Sequence, residues 1–174
     1  MASGLRETVD CERLAQEGET LDRVYALADL PRLQDLLADP DGTIRARFAF
    51  QRTETGRAAA TVEIEAAAHL VCQRCLSGFP YTVAARSEVE FASSPGDAAT
   101  CSEADREPYL MTDGAVRLAE LAEEEFLLAA PFAPSCGAPE ACGRAPGLGA
   151  EEPARASETV RPFGALRDLL KENR

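Results

Sequence analysis

Between residues 43 and 91 the apolar side chains fall on every second position, and this alternation restricts the chain to a sheet covered on one face. In "TIRARFAF" (43–50) Ile44, Ala46, Phe48 and Phe50 share one side, while Arg45 and Arg47 take the other. In "TVEIEAAAHL" (61–70) Val62, Ile64, Ala66, Ala68 and Leu70 oppose Glu63 and Glu65. A third strand, "YTVAARSEVEF" (81–91), points Tyr81, Val83, Ala85, Val89 and Phe91 the same way. A hairpin turning within "TETGR" (53–57) sets Arg47 against Glu63, Arg45 against Glu65 and Phe48 against Val62 in one antiparallel register.

Helical spacing is expected on either side of these strands. "LDRVYALADL" (21–30) and "PRLQDLLADP" (31–40) read as helical pieces, with Pro31 at a first helical position and Leu30, Leu33, Leu36 and Leu37 in one stripe. The turn signal "DPDG" (39–42) stops them. Residues 92–107 read as a solvated loop and "PYLM" (108–111) as a short extended piece. "RLAELAEEEFLLAAPF" (117–132) carries the clearest helical pattern, which Pro131 ends.

Past Cys142, the glycine, proline and small residues of 143–160 predict a disordered linker. Residues 161–174 predict a short amphipathic helix with Phe163, Leu166, Leu169 and Leu170 on one side. The expected architecture is α+β, with one domain over residues 1–142. In it a small antiparallel sheet (43–91) is packed by N-terminal helices and by the helix at 117–130, and a flexible C-terminal tail follows.

The loop between the second and third strands is "CQRCLSGFP", which places Cys72 and Cys75 three positions apart. A two-residue spacer lets both sulfurs of a tight turn reach one ion, and "PSCGAPEACG" (134–143) offers Cys136 and Cys142 just after the main helix. The five-residue spacer of that second half exceeds the usual two to four, and the helix must run back over the sheet to deliver it. Four cysteine ligands would make a closed, structural zinc site with no open position for a catalytic water. Inert buried thiols and a reactive Cys72–Cys75 dithiol are the other readings. The dithiol reading calls for a strand-to-helix junction, whereas this pair lies between two strands.

The compartment follows from what the sequence omits. No basic start leads into an apolar run and no window approaches the length of a membrane span, so a cytoplasmic protein without membrane attachment is expected. Thiols stay reduced there, and the six cysteines are read as ligands or core residues before disulfides. A net charge of −12 excludes a general nucleic-acid binder and favours basic partners.

Four further features bear on chemistry. Glu125 falls near the middle of the apolar arc formed by Leu118, Leu121, Ala122, Phe126, Leu128 and Ala129, with Glu120, Glu123 and Glu124 opposite. Such a carboxylate either bonds an arginine or backbone N–H groups of the cysteine loop, Arg74 being the named candidate, or the helix turns enough for it to reach water. His69, the single histidine, reads as a surface residue or a substitute ligand. Arg45, Arg47, Arg52 and Arg57 have no row of exposed aromatics beside them, which favours a salt-bridged sheet face over an RNA-binding patch. No serine or cysteine triad can be assembled, and carboxylates on a solvated helix face are poorly placed to converge on magnesium, so no enzyme is expected.

With these pieces in place, the chain resembles the bacterial large ribosomal RNA subunit accumulation protein family, YceD. The carriers are "CQRCLSGFP" (72–80), "LAELAEEEFLLAAPFAP" (118–134), the loop to Cys142 and the closing "PFGALRDLLK" (162–171), and the likeness spans roughly residues 20–142 plus the tail. Relatives of the proteobacterial type have a histidine where this chain has Cys136, and both residue types ligate zinc. The resemblance implies a non-enzymatic role in synthesis, processing or stability of 23S rRNA during large-subunit assembly. An acidic protein would act there through the pre-ribosomal large subunit or a basic ribosomal protein, reaching rRNA indirectly. The competing expectations are a thiol–disulfide oxidoreductase using Cys72 and Cys75, and a zinc-stabilised adaptor outside ribosome assembly.

Overall fold

Five strands form one mixed sheet in the computed structural model, which describes residues 5–101, 106–112, 114–137 and 142. The linker expected at 143–160 and the helix expected at 161–174, with Phe163, Leu166 and Leu170, lie outside the described residues. The strands are β2 (Thr20–Ala26), β3 (Thr43–Arg52), β4 (Ala58–Val71), β5 (Gly78–Ala92) and β6 (Glu107–Leu110), side by side in that order. Two further short strands, β1 (Thr8–Val9) and β7 (Val116–Arg117), pair with each other. The helices are α1 (Cys11–Glu17), the single turn α2 (Pro95–Ala98) and α3 (Leu118–Ala129). The α+β class holds.

The β3–β4 hairpin has the expected register: Arg45 pairs with Glu65, Arg47 with Glu63 and Phe48 with Val62. The side-chain ion pairs differ from that backbone pairing. Glu63 takes Arg86 of β5 at 2.8 Å, and Arg47 leans the other way to Asp22 at 3.9 Å. A central strand has a neighbour on each side, so the position directly opposite is one of several a long side chain reaches.

Two elements correct the sequence reading. The stretch expected as a helix at 21–30 is mostly β2, an edge strand antiparallel to β3 with Tyr25 opposite Ile44 and Leu21 opposite Phe48. Its alternation of Leu21, Arg23 and Tyr25 against Asp22 and Val24 has period two, and partnership with β3 outweighs helix propensity. Residues 27–33 then make two 3-10 turns, Leu27–Asp29 and Pro31–Leu33, where a helix was expected. The N-terminal helical contribution is therefore α1 alone, capped by the Asp10 side chain and stopped by Gly18 in the left-handed region. At the other edge, β6 lies parallel to β5, so the sheet is mixed rather than antiparallel; α2 sits within the crossover that joins them.

One face of the sheet is buried under α1 and α3. Phe48, Ile64, Val62, Leu70, Val83 and Phe91 meet Leu14, Leu118, Leu121 and Phe126 in a single core. The far end of β4 outruns β3, and the segment around Leu37 takes the vacated place: Ala38 donates its N–H to the His69 carbonyl at 2.7 Å and Val71 donates to Leu36 at 3.0 Å. Gly42 makes the return into β3. Its φ is +123°, and a Cβ there would lie 2.7 Å from the Ala67 carbonyl oxygen. Among the described residues no helix is long and apolar enough to cross a membrane.

Candidate metal centre

The turn between β4 and β5 is built by its own backbone. Cys72 donates its N–H to Ser77 at 2.9 Å, Leu76 donates to Cys72 at 2.8 Å, and Leu76 adopts a φ of +60°. That left-handed residue lets the chain reverse within a few residues and turns both thiols inward, so that Cys72 and Cys75 are buried.

The second half of the site arrives from α3. Ala130 leaves the helix in an extended conformation, as the residue before Pro131 must, and the chain then crosses to the turn. There the Pro134 carbonyl accepts the Gln73 N–H at 2.8 Å. Cys136 and Cys142 come to rest beside the first pair, half-buried. All four sulfurs lie within 4.8 Å of one another, with Cys75 and Cys136 at 3.8 Å and Cys72 and Cys142 at 3.7 Å.

These separations fit one ion. Sulfurs about 2.3 Å from a tetrahedral zinc stand about 3.8 Å from each other. The electrostatics agree with the distances. Backbone N–H groups of Cys75, then Arg74, then Cys136 point at the Cys72 sulfur and lower its pKa to about 6. The Ser77 N–H, ahead of an interaction with Cys142, lowers that of Cys75. Cys136 is pushed the other way, to about 12, by the Cys142 sulfur first and then by burial and the remaining thiols. A cluster that favours thiolates at one corner and penalises them at another by crowding is one that a cation relieves. The four-cysteine set therefore fits a structural zinc ion, which would tie the β4–β5 turn to the loop after α3.

Arg74, between Cys72 and Cys75, reaches over this set. Its guanidinium donates to the Gly137 carbonyl at 3.5 Å, and the Cys142 sulfur is the strongest influence upon it, with Cys136 and Cys72 also acting. It does not carry out the bond to Glu125 that the sequence suggested. Glu125 is buried on α3, and burial, more than the nearby carboxylates Glu107 and Glu124, raises its pKa, with Ser87 of β5 acting in the opposite direction. The helix is also turned relative to the expected arc. Glu123 is buried and accepts the Arg32 backbone N–H at 2.7 Å, while Leu128 is exposed.

The remaining sequence candidates lie elsewhere. His69 is exposed, 3.2 Å from Asp39, and is not among the clustered ligands. Arg52 pairs with Glu12 at 2.6 Å and Arg57 with Asp97 at 2.7 Å, so these arginines serve intramolecular contacts. Sequence reasoning missed that Arg57 also pairs with Glu90, which is fully buried although alternation places it on the polar face. The crossover after β5 covers that end of the face, and no local pattern signals it.

A family described as "Large ribosomal RNA subunit accumulation protein YceD" fits residues 60–170, taking in β4 from Ala60 onward, β5, α3 and all four clustered cysteines and leaving residues 20–59 outside. No curated protein and no solved structure matches the chain.

Proposed function

The chain belongs to the YceD family, and we propose from that premise that it is a non-enzymatic, cytoplasmic factor supporting 23S rRNA accumulation during assembly of the large ribosomal subunit. The observation that carries this reading is the family match, which covers more than half of the chain and includes the cysteine set.

Charge supports an indirect route to RNA. With a net charge of −12, long-range attraction draws the protein to basic surfaces and away from the phosphate backbone. Among the described residues Arg47, Arg52, Arg57 and Arg86 each have a carboxylate partner within the fold, which competes with phosphate for them. The partner is then a basic ribosomal protein or a basic face of the assembling particle. In this reading zinc on Cys72, Cys75, Cys136 and Cys142 has a structural part: when bound it supplies a fourfold cross-link and no open coordination position.

A second reading has one observation in its favour. The lowered pKa of Cys72 is a property of reactive dithiols, which makes a thiol–disulfide oxidoreductase the alternative. Its two partners would be Cys72 and Cys75, hemmed in by two further thiols.

One experiment separates the two. A strain lacking the protein is expected to accumulate less 23S rRNA, and the purified protein to retain a basic ribosomal protein with strong salt dependence while binding naked rRNA weakly. Normal 23S rRNA levels in that strain, together with disulfide reductase activity that depends on Cys72, would reverse the assignment.

A further inference from the structure

We infer that Arg74 is a positioning residue for the metal, a cationic clamp that holds the distant ligand Cys142 and offsets the excess negative charge of a four-thiolate site. The inference rests on the reading of the cysteine cluster as a metal centre.

Cys72 and Cys75 are fixed by the tight turn, and the backbone supplies N–H groups to their sulfurs. Cys142 has no comparable scaffold in its own sequence, because five residues separate it from Cys136 where metal-binding turns use two to four. A group on the first half of the site is placed to steady it. Arg74 belongs to the first half of the site and spans to the second, donating to the carbonyl of Gly137, the residue after Cys136, at 3.5 Å, and Cys142 is the largest influence on its charge.

Charge supplies the second argument. Four thiolates around a divalent ion leave two excess negative charges, at a place where Cys72 and Cys75 are shielded from water. A guanidinium at the rim offsets one of them and donates an N–H···S bond that makes the sulfur less electron-rich. Lysine carries the charge without the planar fork that reaches a sulfur and a carbonyl together.

The test is competition for zinc and for cobalt(II) against a chromophoric chelator, using the full chain. Arg74 is exposed, so its replacement leaves the core intact. Arg74→Met is expected to weaken metal binding on the order of 10–100-fold, the usual cost of losing a group that supports a ligand, with Arg74→Lys between it and the parent. The sulfur-to-cobalt charge-transfer band of Arg74→Met should move to longer wavelength, which a purely structural role would not produce. Arg86→Met, which removes the same charge from the outer face of the sheet, should bind as the parent does. Equal affinity in Arg74→Met and the parent, or equal losses in Arg74→Met and Arg86→Met, would overturn the inference while leaving the metal centre in place. A parent chain that takes up neither metal would overturn both.

Discussion

Ser87 stands opposite Val62 in the middle of the covered face of the sheet, its hydroxyl is buried without a hydrogen-bond partner among the described residues, and it is the one neighbour that favours the charged form of Glu125 on α3. Both polar groups sit inside an apolar layer, and burial is the larger influence on the acid: its pKa is raised. A raised acid binds its proton more readily folded than unfolded. It therefore contributes stability that is fully present below its ordinary value of 4.5 and is lost as pH rises through the folded value. Glu125→Gln is expected to unfold at higher denaturant concentration than the parent at pH 7, to match it near pH 4, and to show a flatter stability–pH curve between. Urea titrations at stepped pH values check this. A variant less stable than the parent at pH 7 would mean that the ionised carboxylate has a stabilising partner.

Arg57 joins the end of the β3–β4 hairpin to two carboxylates, the fully buried Glu90 and Asp97 of α2, and so anchors the crossover to β6. Removing one member of a buried pair leaves an uncompensated charge, which costs about 3–5 kcal/mol. Arg57→Met is expected to approach that loss in chemical denaturation. Glu90→Gln keeps a hydrogen-bonding group beside Arg57 and should cost clearly less.

The same cluster predicts an acid limb. Arg57, followed by the Ser93 backbone N–H, lowers the Asp97 pKa to about 2. A depressed carboxylate gives stability that is present above its ordinary value of 3.8 and disappears as pH falls through about 2. Asp97→Asn is expected to reduce stability at pH 7 and to lessen the parent's loss between pH 4 and pH 2, measured by circular dichroism in acid titration.

Gly42 tests the turn into β3. An added methyl there meets the Ala67 carbonyl oxygen at 2.7 Å and Leu27 Cδ1 at 2.9 Å, on a backbone with φ +123°. Gly42→Ala is expected to cost about 2 kcal/mol or more, read as a lower thermal midpoint, whereas Gly56→Ala, with a φ of +85° but open space around it, should cost less.

The readable and unreadable parts of the chain differ in physical kind. Alternation in residues 43–70 determined both the strands and their pairing, because a one-residue slip would turn Phe48 and Ile64 to water. The CxxC turn declared itself through spacing, and the family resemblance through the order of the motifs. β2 was misread because its leucines also satisfy a helical stripe, and pairing with β3 is a long-range fact that propensity does not contain. The burial of Glu90 and Glu123 depends on what the crossover and the 3-10 turns place over them. Ser87 left a visible trace: it interrupts the alternation of Ala85, Val89 and Phe91, as Glu125 interrupts the arc of α3.

The direct test of the account is the metal content of untagged protein by elemental analysis, paired with a thiol count before and after denaturation with a chelator. The account predicts one zinc per chain. Of the two thiols outside the cluster Cys101, partly exposed although burial and then Glu90 raise its pKa, should be the one a reagent reaches first in the native state, since Cys11 is buried with its pKa raised to about 12 by desolvation and then by Asp10 and Glu12. All six should react once the metal is removed. Protein that carries no metal, takes up none on reconstitution and exposes Cys72 and Cys75 to reagent in its native state would contradict the four-cysteine clasp and favour the dithiol reading.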